Sequence, residues 1–212
     1  LVPFNMQVLD QRFLEQSQSW PEYIKLFEQL VASGKTTGEN QSDEMVHYTK
    51  LNLSRTKRGG KTLKIAPTLQ DTLLTLDEDW VWLTITEPWC GDAAQSLGAV
   101  AAISNYSPKI EMRTILRDET PDLMEHFLTN GGKAIPIVIC VRQSDNKILG
   151  HWGPRPAPMQ KMVMDYKADD KGEELDSFIQ RLHKTYAADK SATLMAELEE
   201  KIKVWLQASK GA

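Results

Sequence analysis

Seven consecutive residues, Trp80-Val81-Trp82-Leu83-Thr84-Ile85-Thr86, form an apolar and β-branched run with no polar alternation. A strand of that texture is buried on both faces, so helices must cover the sheet above and below. The run Trp89-Cys90-Gly91-Asp92-Ala93 follows at once, and a helix-like stretch extends from Ala93 to Ser104. A cysteine at such a junction sits at a helix N-terminus. Unpaired backbone N–H groups and the helix dipole there favour a thiolate.

The pattern on either side extends this unit. Thr68 to Leu76 reads as a short helix. Lys109 to Leu116 alternates as a second strand, and Thr120-Pro121 opens a helix with Leu123, Met124 and Phe127 on its apolar face, closed by Gly131-Gly132. Ile135 to Val141 is a third strand with proline near its start. The turn at Ser144–Lys147 links it to Ile148–Trp152 as a hairpin, and a helix from about Met159 to Lys167 follows the Pro-rich loop 153–158. Strand, crossover helix, strand implies a right-handed parallel pair, and the hairpin adds antiparallel strands. The predicted outcome is an α/β fold with a mixed sheet flanked by helices.

Both flanks are helical in pattern. Tyr23, Ile24, Phe27, Leu30 and Val31 share a face, with Pro21 in the first turn and Gly34 as the stop. Ser42 is placed to cap a second helix with the stripe Met45, Tyr48 and Leu51, ended by Gly59-Gly60. Leu175, Ile179, Leu182 and Tyr186 share one face near the C-terminal side, as do Leu194, Leu198, Ile202 and Trp205.

Composition narrows the function classes. Of 212 residues, 41% are hydrophobic and 25% charged, with a net charge of −4. These are ordinary globular values, and they point to neither a nucleic-acid nor a membrane partner. The Lys- and Arg-rich segment 50–64 lacks the aromatic interleaving of a nucleic-acid surface and reads as a solvated helix face. No apolar run reaches the roughly 20 residues of a membrane span. The start, Leu1 to Met6, has neither a basic n-region nor an apolar h-region, and Met6 is a candidate native start. Two cysteines do not make a disulfide scaffold, and a cytoplasmic setting is expected. The four histidines have no zinc-like spacing to a cysteine, so neither a metal nor a cofactor is expected.

Three features together resemble the thioredoxin family: the Trp89-Cys90-Gly91-Asp92 run between strand and helix, the Ile135-Pro136 step opening the hairpin, and Gly153 ending its last strand. The order of elements agrees. The resemblance covers roughly residues 65–168. It implies a thioredoxin-like domain there; the helical flanks lie outside that minimal fold and are expected to be an N-terminal extension over 1–64 that packs on the core and C-terminal helices over 169–212. Cys90 ends a parallel strand, Pro136 begins an antiparallel one and Gly153 ends its partner, so all three fall at one end of the sheet. An X–Pro bond adopts cis at low cost. The resemblance implies a cis Pro136 bordering the groove where a substrate docks, with Cys90 as nucleophile. Trp89, Gly91, Asp92, Ile135, Pro136, Gly153 and Arg155 are the expected binding residues. Arg155 favours a Cys90 thiolate and Asp92 opposes it.

Two departures from that family are coupled. Ala93 stands where a resolving cysteine would make a Cys-x-x-Cys pair, and Thr84 stands where thioredoxins often hold a buried acid. Cys140 lies four residues along the strand from Pro136, about 13 Å away at about 3.3 Å per residue. A disulfide needs Cα atoms within about 7 Å, so Cys140 reads as core rather than as the resolving thiol. Glu87 is either an acid–base group or a polar loop residue, and His151 a cross-strand surface residue. Trp80, Trp82 and Trp152 read as packing. Function then divides. One reading is monothiol thiol–disulfide exchange through Cys90, released by an external thiol, with a polypeptide or a small-molecule thiol or disulfide as partner. The other is a redox-inactive module that binds a polypeptide. Peroxide reduction fits the motif poorly.

Overall fold

The computed structural model describes residues 7–168 and 172–211. The Leu1–Met6 start lies outside them, and so do residues 169–171, where the expected C-terminal boundary falls. Elements run in the order α1 (Gln11–Gln16), β1 (Gln18–Ser19), α2 (Trp20–Ser33), α3 (Asp43–Thr62), α4 (Pro67–Leu74), β2 (Trp80–Thr86), α5 (Gly91–Ser104) and β3 (Ile110–Leu116). Then come α6 (Pro121–Met124), β4 (Ile137–Arg142), β5 (Ile148–Trp152), α7 (Ala157–Ala168), α8 (Leu175–Asp189) and α9 (Ala192–Lys210).

The described residues form a mixed sheet in the order β1-β3-β2-β4-β5. β2 pairs parallel with β3 and antiparallel with β4, and the β4–β5 hairpin extends the sheet antiparallel. All seven residues of the central β2 are buried, as its unbroken apolar texture requires. β1 is a two-residue addition, antiparallel to β3, that hydropathy alone does not reveal.

Trp82, Cys140 and Gly150 are register neighbours on β2, β4 and β5, so they share one face of the sheet. Trp205 of α9 packs edge-on against Trp80 and Trp82 at 6.4 and 6.1 Å. Gly150 makes the room for it, since a side chain there would overlap the Trp205 indole. Leu194, Leu198, Ile202 and Trp205 are all buried and join Leu9 and Phe13 in the same apolar core as the strands. Cys140 is fully buried within that core.

The α3–α5 contact departs from expectation. Gly59 and Gly60 do not end α3, which runs on to Thr62. They cross α5 at Gly98 instead: a Cβ on Gly98 would overlap the Thr56 carbonyl, and one on Gly60 would come 2.8 Å from the Gly98 carbonyl. Close backbone approach, rather than helix termination, accounts for these glycines. The buried face of α3 is likewise not the Met45, Tyr48 and Leu51 stripe but Thr49, Asn52 and Thr56, because only short side chains fit a crossing this close. Leu51 is exposed. Thr120 does hold the N-cap position of α6 ahead of Pro121, but its hydroxyl donates to the Leu116 carbonyl rather than capping the helix, and α6 stops at Met124, short of Phe127. Gly131-Gly132 therefore close no helix, and Gly132 pairs with Thr129 in a turn. On α8 the buried residues are Phe178, Leu182 and Tyr186, while Leu175 is exposed. No helix among the described residues is long and apolar enough to cross a membrane.

Candidate functional site

Cys90 is the N-cap of α5, and its Sγ accepts from the Ala93 N–H at 3.5 Å. The thiol in turn donates to the Ile135 carbonyl at 3.3 Å. A hydrogen bond thus joins the first turn of α5 to the segment that opens β4. The Ile135–Pro136 peptide is cis. Gly153 lies directly against the Pro136 carbonyl, with φ +122, where a Cβ would overlap that oxygen. Sheet register therefore brings the motif, Ile135, Pro136 and Gly153 to one end of the molecule.

The flanking groups are equally specific. Trp89 is half-buried, with the Arg117 guanidinium 4.7 Å above its ring. The Asp92 carboxylate pairs with Arg155 at 2.6 Å and accepts from the Tyr186 hydroxyl at 2.8 Å. Arg155 also donates to Gln160. The two charges that were expected to act on Cys90 in opposite directions are thus bonded to each other. Of the expected binding residues, Trp89, Gly91, Asp92, Ile135 and Arg155 line the same recess as the Cys90 thiol, and Gly153 stands behind them against the Pro136 carbonyl.

The largest effect on Cys90 is burial. Only 8% of the residue is exposed, and its pKa is pushed up to about 12. The Asp92 charge adds to the rise, while the Ala93 N–H and Arg155 oppose it. Desolvation outweighs the helix terminus here, and the resting thiol is protonated. Burial also raises the Cys140 pKa well above its ordinary value. Both cysteines are free, and Cys140 stands in mid-sheet opposite Trp82.

Much of what encloses Cys90 comes from helices outside the motif. A cavity of about 400 Å³ beside the thiol is walled by Met45 and Tyr48 of α3 and by Ile179, Leu182 and His183 of α8. His183 Nδ1 lies 3.0 Å from the Gln95 amide and its Nε2 3.3 Å from the Arg55 guanidinium. A Cβ on Gly91 would stand 3.1 Å from the His183 ring, so a small residue is needed beneath α8. Burial and then Arg55 lower the His183 pKa, against a smaller pull from Asp92. Asn52, buried on α3, donates to the Pro88 carbonyl at 3.1 Å and fixes the approach to the motif. Sequence reasoning missed Asn52, Arg55, Gln95, His183 and Tyr186. Their signal is a position on a helix face, which becomes informative only once the helix is placed.

Glu87 and His151 lie apart from this chemistry. The Glu87 side chain is buried, accepting from the Thr37 hydroxyl and from the Asp118 N–H at 2.9 Å, and burial raises its pKa. It ties the loop before α3 to the loop after β3. His151 packs edge-on to Phe127 at 5.4 Å. Among the described residues, no group of three His, Cys, Asp or Glu side chains is arranged to hold a metal ion.

A family model described as thioredoxin matches residues 38–181. The chain belongs to the thioredoxin family. That match spans α3 to the first half of α8, so it takes in the crossing helix as well as the motif. Two solved structures share the fold. A protein of unknown function from Pseudomonas aeruginosa is 17% identical with a TM-score of 0.56, over 95% of this chain and 96% of its own. An HIV epitope-scaffold is 16% identical with a TM-score of 0.55, over 95% and 98%. Both likenesses extend well beyond the thioredoxin match. None of the curated proteins matches the chain.

Proposed function

We propose that this thioredoxin-family protein carries out thiol–disulfide exchange of the monothiol type through Cys90. The observation that carries the reading is the position of the Cys90 thiol. It caps α5 at the edge of a 400 Å³ cavity, against the Ile135 carbonyl, with an N–H and a guanidinium that favour its ionised form. Cys90 first gives its proton to water. The thiolate then attacks one sulfur of a disulfide R–S–S–R′, the S–S bond breaks, and R′–S⁻ leaves and takes a proton from water. Cys90 is left as a mixed disulfide with R. An external thiol R″–SH, ionised in its turn, attacks the R sulfur, departs as R–S–S–R″ and returns Cys90 as a thiol. One disulfide replaces another, and no net oxidation falls on the protein. Ala93 offers no internal thiol to shorten the cycle. A reducing compartment such as the cytoplasm would supply the external one.

The test compares wild type with Cys90→Ser in a mixed-disulfide turnover assay. Loss of turnover in the variant is expected, and equal turnover overturns the reading.

One observation favours a second reading, a redox-inactive module that holds a polypeptide. The thiol, pushed up to about 12, is engaged as a donor to Ile135 and serves as a structural link. Under that reading Cys90→Ser leaves partner binding intact, because a hydroxyl makes the same two bonds.

A further inference from the structure

The helix that walls the cavity is held by bonds to the motif itself. Tyr186 donates to Asp92, and His183 meets Gln95 of α5 and Arg55 of α3. The apolar side of α8 packs with α7 in a small cluster of Met159, Val163, Phe178, Leu182 and Tyr186, separate from the main core. Tyr166 and Phe178 stack there at 4.1 Å. Two sets of contacts thus seat α8 across the thiol: apolar ones to α7 behind it and polar ones to α5 and α3 below it.

This seating limits what can reach Cys90. A polypeptide disulfide delivers its sulfur with extended chain on both sides, at about 3.3 Å per residue, and a strand added at a sheet edge needs open main chain alongside. Here Ile135 is only 4% exposed, and Ile179, Leu182 and His183 stand on one side of the cavity with Met45 and Tyr48 on another. What remains is about 400 Å³, at the small-ligand end of the roughly 300–1,000 Å³ of small-molecule sites.

We infer that α8 sets a size limit at Cys90, making the site selective for low-molecular-weight disulfides over polypeptide disulfides. Ile179, Leu182 and His183 are its specificity-determining residues. The inference rests on the exchange reading and sharpens it: R, R′ and R″ in the cycle above are all the organic groups of small thiols.

The test uses the full chain carrying Cys140→Ser, so that Cys90 is the sole thiol. Adduct formation at Cys90 is followed by mass spectrometry with two reagents, bis(2-hydroxyethyl) disulfide and a mixed disulfide on an unstructured polypeptide. The small reagent is expected to react at least about 100-fold faster. Ile179→Ala combined with Leu182→Ala should narrow that gap to under about tenfold, chiefly by speeding the polypeptide. A gap under about threefold in the unaltered wall overturns the size limit while leaving exchange standing. Adducts from neither reagent overturn exchange and the size limit together. Because the wild-type wall gives a ratio by itself, the inference stays falsifiable if the double variant fails to fold.

Discussion

The Tyr186 hydroxyl donates to the Asp92 carboxylate across 2.8 Å, which makes the second residue of α5 a fastening point for α8. Arg155 holds the other carboxylate oxygen, so Asp92 is shared between a cover and a counter-charge. Its charge raises the Cys90 pKa and Arg155 lowers it. Asp92→Asn should therefore lower that pKa and speed alkylation at fixed pH, whereas Arg155→Gln should raise it and slow alkylation. Iodoacetamide kinetics on the Cys140→Ser background checks both. Shifts in the same direction contradict the electrostatic account. Each variant also breaks a mostly buried ion pair, at a cost of about 3 kcal/mol in denaturant unfolding.

Cys90 alkylation should depend steeply on pH. Only the thiolate reacts, so below a pKa of about 12 the rate rises about tenfold for each pH unit, with no plateau in the neutral range. A plateau near pH 8 would show that the thiol is activated after all. Loosening α8 with His183→Ala should shift the whole profile toward lower pH, because burial is the largest cause of the raised value.

His183 makes the seat of α8 acid-sensitive. Its folded pKa is below the ordinary 6.5, so the neutral ring is favoured in the folded state. The stability it contributes is complete above about pH 6.5 and is lost as pH falls from there toward the lowered folded value. Burial is the first cause of that sign, and the facing groups follow it: Arg55 on α3 repels the imidazolium, Asp92 on α5 attracts it less strongly, and Gln95 is neutral. Urea unfolding from pH 7.5 to 5 should show a decline that His183→Gln flattens. Equal slopes would remove His183 from this role.

Gly98→Ala tests the helix crossing. The added methyl would overlap the Thr56 carbonyl and press on the Gly60 amide at 2.7 Å, both backbone atoms of the facing helix. A loss of at least about 3 kcal/mol is expected, near the upper end for overpacking, because neither helix has a side chain that can give way. Since α3 carries Asn52 to the Pro88 carbonyl, the same change should also disorder the approach to Cys90. Amide exchange at Trp89 and Cys90 reads that directly.

The parts of the chain that were legible beforehand are those in which side-chain pattern and local geometry agree. β2 reads from its texture alone, and the Cys90, Pro136 and Gly153 constellation follows from element order, since register puts strand ends together. α9 reads from a clean buried stripe. α3 misleads because its buried face is polar and its glycines serve a partner helix: periodicity registers apolar residues and glycine suggests a stop, yet both cues depend here on α5. Cys90 shows the same limit in chemistry. A helix N-terminus predicts a lowered pKa, and it does pull downward, but α8 arrives from more than eighty residues away and adds burial, which prevails.

Gly150 leaves a notch in β5 that the Trp205 indole fills. A chain trimmed to residues 38–181 would keep every motif residue and the whole thioredoxin match, yet it would lose that tryptophan together with Leu9 and Phe13. The sheet face bearing Trp80, Trp82 and Cys140 would then stand open to water. Such a fragment would be a poor reagent for any assay on Cys90, because its sticky face would aggregate before its groove could be probed.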